Sequence, residues 1–102
     1  MSNIGQARKA LTKRILEGGG KASLSERRGA FDNDGLVEPV RVLVDKVARH
    51  ASRVTDADFA AARGADRSED QIFELVVCAA IGQATRQYDA ALAALESVIG
   101  KG

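Results

Sequence analysis

Two residues that occur once in this chain carry chemistry: His50, the only histidine, and Cys78, the only cysteine. An imidazole titrates near neutrality, so His50 can pass a proton as a general acid or base. It also closes a helical stretch, where a cationic ring is favoured by the helix dipole without any catalytic role. A lone thiol can act as a one-cysteine peroxidatic or redox-sensing group. Cys78, however, stands among Val76, Val77, Ala79 and Ala80. Apolar surroundings raise a thiol's pKa and hinder attack, so the sequence favours a buried structural cysteine. One cysteine forms no internal disulfide and excludes a multi-cysteine metal site within one chain.

Two further stretches invite a ligand and lack the spacing for it. FDNDGLVEP (Phe31 to Pro39) begins like a calcium loop, with Asp32 and Asp34 at the first and third positions. Gly35 then comes two residues early, and the twelfth position, which needs a glutamate, is Leu43. A plain turn follows from that. Gly18, Gly19 and Gly20 precede Lys21 but complete no phosphate-loop spacing, so the triplet reads as a flexible joint. No metal and no cofactor is expected.

The elements that position these groups are helices. Ile4, Ala7, Leu11 and Ile15 recur at helical spacing until the glycine triplet. Ser23 and Glu26 form a possible capping box for a short helix running to about Ala30. Pro39 suits the first turn of the next helix, whose apolar stripe is Val40, Leu43, Val44, Val47 and Ala51, ending near Ser52. Thr55 reads as an N-cap with Asp58 as the capping-box acid, and Val54 with Phe59 as a hydrophobic staple; that helix ends near Gly64. Ser68 and Gln71 start a last helix that continues almost to Ile99. Its first half, Ile72 to Gly82, is apolar nearly all round, which predicts burial on several sides; Glu74 and Arg86 on it suit pairing with neighbouring charges. Ala84, Tyr88, Ala91, Leu92, Leu95 and Ile99 continue a narrower stripe. No segment alternates with period two, so the fold class is all-α: a compact bundle-like domain of about five helices with a long buried C-terminal helix.

At 102 residues the chain is read as one domain over 1–102, with 1–35 as an N-terminal helical extension. A domain of this size buries only about 60–65% of its unfolded surface. With three Phe, one Tyr and no Trp, much of its apolar content is alanine, which contributes little core area. Self-association is the usual remedy. Lys plus Arg number 15 against 14 Asp plus Glu. The only basic excess, Ala7 to Arg14 with Arg27 and Arg28, reads as a solvated helix face and not as a nucleic-acid surface. No secretory leader and no membrane-spanning stretch is apparent, which makes a cytoplasmic location the expectation.

The run VDKVARHASRVTDADFAAARGADRSEDQIFELVVCAAIGQATRQYDAALAALE resembles the C-terminal half of small proteins of the alkylhydroperoxidase D-like, or carboxymuconolactone decarboxylase-like, superfamily. The likeness covers about residues 36 to 96. Its most specific parts are the short helix from Thr55, the SEDxIxEL turn and the alanine-rich helix after it. The resemblance implies an all-helical fold and a homo-oligomer, whether dimer, trimer or hexamer, with a small-molecule ligand as a further partner.

Redox members of that superfamily carry CxxCxxxH. Laid back from Ser68, that motif falls on Ala51, Val54 and Asp58. The acid those members use about three turns earlier falls on Pro39, with Glu38 adjacent. Peroxide reduction needs an attacking thiolate and a resolving thiol, and neither stands there. The decarboxylase branch keeps the histidine as a proton-transfer group; here Asp58 replaces it. Two readings follow. One is an enzyme with altered proton-transfer chemistry on a small organic substrate, using His50 with Glu38 or Asp58 as catalytic groups. The other is a non-catalytic oligomeric binding or assembly protein of the same fold. A pocket holding His50 beside a carboxylate favours the first, and a solvent-exposed His50 the second.

Overall fold

The computed structural model describes residues 2–64 and 66–100, with residues 2–4 in their backbone alone, so the expected role of Ile4 in the first stripe lies outside the described side chains. The described chain is all-helical: α1 (Ser2–Glu17), α2 (Leu24–Asp32), α3 (Val40–His50), α4 (Asp56–Arg63) and α5 (Glu69–Gly100), with a 3-10 turn at Ala51–Arg53. No described helix is long and apolar enough to cross a membrane.

Side-chain caps set where the helices start. Thr55 accepts a hydrogen bond from the Asp58 N–H while the Asp58 carboxylate accepts from the Thr55 N–H, so that capping box is complete. Ser68 and Gln71 exchange the same pair of bonds at 3.1 and 2.8 Å. The Ser23 box is only half made: its hydroxyl accepts from the Glu26 N–H, but the Glu26 carboxylate turns to Arg67 at 2.5 Å. An ion pair with a guanidinium is stronger than a second cap bond, and it ties α2 to the loop ahead of α5.

The core lies where α2 and α3 cross the first half of α5. It is built from Ala30 and Phe31 of α2, the α3 stripe Val40, Leu43, Val44 and Val47, Ala62 of α4, and Ile72, Leu75, Cys78 and Ala79 of α5. Ala51, expected at the end of the α3 stripe, is instead exposed, because the chain tightens into the 3-10 turn after His50 and rotates it off the apolar face.

The α5 helix is not buried on several sides as its composition implies. Its buried residues, Ile72, Leu75, Cys78, Ala79 and Gly82, form one face, and Phe73 is 66% exposed. Residues 86–100 are exposed throughout. At a rise of 1.5 Å per residue the helix is about 48 Å long. The molecule's longest dimension is 56 Å, against 28 and 21 Å in the others. Three short helices therefore cover the base of α5, and its second half projects with only α1 beside it, where Arg8 pairs with Asp89 at 2.7 Å.

At the crossing of α2 and α5 the backbones touch. A Cβ on Gly82 would overlap the Phe31 carbonyl, and the Arg86 guanidinium donates to that same carbonyl at 2.6 Å. Arg86 thus satisfies a carbonyl in the last turn of α2, which has no partner inside its own helix. Asn33 ends that helix in the left-handed conformation, with φ at 53°. Gly82→Ala should gain about 1 kcal/mol of helix propensity but cost about 2–3 kcal/mol in overpacking against an immobile backbone. The expected net result in urea denaturation is a loss of about 1–2 kcal/mol; a neutral or stabilised variant would contradict the close crossing.

Candidate functional site

The groups singled out for chemistry are dispersed. His50 is the last residue of α3 and is exposed, with no hydrogen-bond partner among the described residues. Glu38 stands before the other end of α3, separated by about 16 Å of helix, and forms an exposed ion pair with Arg41 at 2.5 Å. Asp58 follows His50 in the chain at the start of α4, and its Oδ2 accepts from Lys46 Nζ at 2.8 Å, the Thr55 N–H at 2.8 Å and the Thr55 hydroxyl at 3.1 Å. The Lys46 bond, followed by the Thr55 N–H, holds the Asp58 carboxyl below its usual range. Such a carboxylate is a weak base at neutral pH. No hydrogen bond joins His50, Glu38 and Asp58, so the arrangement is not a proton-transfer constellation.

Cys78 is in the core, with 1% of its surface exposed. Burial pushes its thiol pKa up, with Arg27 opposing and Glu74 adding to the rise. Its S–H donates to the Ile15 carbonyl at 3.6 Å, which fastens α1 to α5. A protonated, covered thiol does not attack peroxide.

The most connected polar cluster lies elsewhere, and its main members are Arg27 and Glu74. Arg27 was expected on a solvated face beside Arg28, yet it is 5% exposed. Its Nε donates to the Ala22 carbonyl at 2.9 Å and its Nη1 to the Gly18 carbonyl. Glu74, one turn before Cys78 on α5, accepts from the N–H groups of Lys21 and Ala22 at 2.8 Å and stands 3.9 Å from Arg27 Nε. The glycine triplet is therefore not a free joint but leads into a cradle whose N–H groups come from Lys21 and Ala22. A Cβ on Gly20 would lie 2.6 Å from Glu74 Oε1 and 2.7 Å from Arg27 Nη2. The loop does bind an anion through its backbone, and that anion is the protein's own carboxylate. One signal for it was visible: Glu74 is the lone acid in an otherwise apolar run, and a carboxylate there needs partners.

Three surface cavities lie among the described residues, and His50, Glu38 and Asp58 line none of them. An open groove of about 580 Å³ runs between α4 and the start of α5 over Phe59, Ala60, Ile72 and Phe73, edged by Asp56 and Asp70. A second lies between α1 and α2, edged by Arg8 and Asp89. The third, of about 270 Å³, sits beside the Arg27–Glu74 cluster with Cys78 at its floor. Among the described residues no three His, Cys, Asp or Glu side chains gather as a metal ligand set.

Comparison with family models, with curated proteins and with solved structures finds no match to this chain.

Burial raises the Glu74 pKa, but the Ala22 and Lys21 N–H bonds and the Arg27 charge more than offset it, leaving the carboxyl below its ordinary 4.5. A depressed carboxylate stabilises the fold fully above about pH 4.5, and that contribution is lost as pH falls through the folded-state value. Glu74→Ala should cost about 2–3 kcal/mol, because it strands Arg27 and two N–H groups. In denaturation curves, the gap between wild type and Glu74→Gln should be widest above pH 4.5 and narrow in acid. A gap independent of pH would rule out the ionised cradle.

Proposed function

We propose that this protein is a non-catalytic, self-associating helical protein that keeps the alkylhydroperoxidase D-like frame without its thiol or proton-transfer chemistry. One observation carries the reading: every ionisable candidate except His50 is committed to a structural bond, and His50 faces solvent with no carboxylate partner. Catalysis by general acid and base requires the two groups within reach of one substrate atom. Glu38 and Asp58 instead brace Arg41, Lys46 and a helix start.

The assembly half of the reading is supported by what is left uncovered. Leu92, Leu95, Val98 and Ile99 are exposed on one helix, in a chain whose core is rich in alanine and valine. Apolar side chains clustered in this way mark an interaction surface, since scattered single exposures are what an ordinary surface shows.

The enzyme reading makes a different demand, that Cys78 or His50 be reactive. Purified protein should reduce neither hydrogen peroxide nor an organic hydroperoxide above the thiol-free background, and Cys78→Ser should behave as wild type does. Cys78 should react with a disulfide reagent at least about 100-fold more slowly in the native state than in denaturant. Peroxide turnover lost in Cys78→Ser would overturn the proposal.

A further inference from the structure

Resting on the self-association just proposed, we infer that the projecting half of α5 pairs antiparallel with the same half of a second copy, about a two-fold axis beside Leu92. Ile81, Thr85, Tyr88, Leu92, Leu95 and Ile99 are spaced alternately four and three residues apart. That is an uninterrupted heptad seam over more than two repeats, of the kind that drives helix pairing. No charged residue interrupts it. Its first members are used inside the chain, Ile81 against the core and Thr85 along the groove between α1 and α2; from Tyr88 onward the seam is open except where α1 lies beside it.

The two flanks of the seam differ, and the difference selects the partner. On one side stand Gly82, Asp89 and Glu96. This flank is turned toward the chain's own helices: Gly82 meets Phe31 of α2, and Asp89 pairs with Arg8 of α1, whose guanidinium lies 4.6 Å from the centre of the Tyr88 ring. On the other side stand Val77, Ala84, Ala91 and Val98, all small and apolar, with Val98 75% exposed. In an antiparallel pair each flank faces its own counterpart, so the open flank meets alanine and valine. The acidic flank is held inside its own chain at Gly82 and at Asp89, which Arg8 neutralises in each copy. A parallel pair would lay Ala91 and Val98 against carboxylates, and would force both folded bodies to the same end of the seam.

The area is also right for a second copy. Tyr88, Leu92, Leu95, Val98 and Ile99 together expose on the order of 500 Å² per chain, at the upper end of what a monomer tolerates. With the flanking alanines this approaches the roughly 800 Å² that each side of a stable interface contributes. Small flanking residues let the two backbones approach closely, which compensates for the shortage of large side chains.

The test uses the full chain. Sedimentation equilibrium should give a dimer or a multiple of it for wild type, while Leu95→Glu should raise the dissociation constant more than about tenfold. Leu95 is exposed in the single chain, so unchanged circular dichroism should show that this variant still folds. In a Cys78→Ser background, Leu92→Cys should form an intermolecular disulfide on mild oxidation. Ile99→Cys should not, because antiparallel pairing carries the two copies of residue 99 about 20 Å apart. A monomeric wild type at high concentration overturns both this pairing and the proposed self-association. An oligomer indifferent to Leu95→Glu overturns the pairing alone, and cross-linking through Ile99→Cys overturns the antiparallel sense.

Discussion

The carboxylate of Glu74 holds this fold together from an unusual direction. It projects from the longest helix into a glycine loop and is received by two backbone N–H groups and a buried guanidinium. That contact fixes where α1 ends and α2 begins relative to α5. From there the geometry propagates: α2 starts at Ser23, immediately after the cradle, and reaches Phe31 over Gly82, where no side chain intervenes. Arg86 then closes the far end of the same helix. Two polar attachments and one glycine thus set the seating of α2, and the apolar core fills in between them. A desolvated ion pair contributes less to net stability than its Coulomb energy suggests, so its value here is in specifying one arrangement over others.

The same economy bears on function. Among the described residues Arg27 is the one buried charged group, and the half-buried polar groups are mostly occupied in joining helices. Lys46 and Asp58 bind α3 to the start of α4, Glu26 and Arg67 bind α2 to the loop before α5, and Cys78 anchors α1 through the Ile15 carbonyl. Exposed apolar side chains occur singly elsewhere, as at Leu24, Val37 and Phe73, and gather on the outer half of α5. That balance is what supports the association proposed above.

Much of the architecture was legible in the sequence because it rests on local signals. The α3 stripe has helical spacing, and Thr55 with Asp58 and Ser68 with Gln71 are capping boxes whose bonds span three residues. Failures came where a residue's role is decided by distant partners. Arg27 beside Arg28 reads as a solvated pair, and only the approach of Glu74, 47 positions later in the chain, makes it a buried one. The Gly18–Gly20 run reads as freedom until the space beside Gly20 is seen to be full. The apolar surround of Ile72–Gly82 says what seeks cover, by the chain's own helices or by a subunit interface; within one chain only one face finds it, because the helices are too few to supply the rest. For the candidate site, Asp58 was legible as a cap. The separation of His50 from Glu38 follows from the length of α3, whereas the commitment of Asp58 to Lys46 was not legible, because a partner on another helix decides it.

The break at Gly82 and Arg86 divides one continuous helix into two regimes of selection. Before it, each residue of the buried face answers to the interior, and a change in volume is felt by α2 and α3 at once. After it, the side chains lie exposed, and among the described residues Arg8 of α1 is the one seen to pair with them. Substitutions from Ala90 onward can accordingly drift, or be redesigned, without disturbing how the protein folds. The helix is thus a beam inside the core at one end and an open surface at the other, and the two ends can be altered separately.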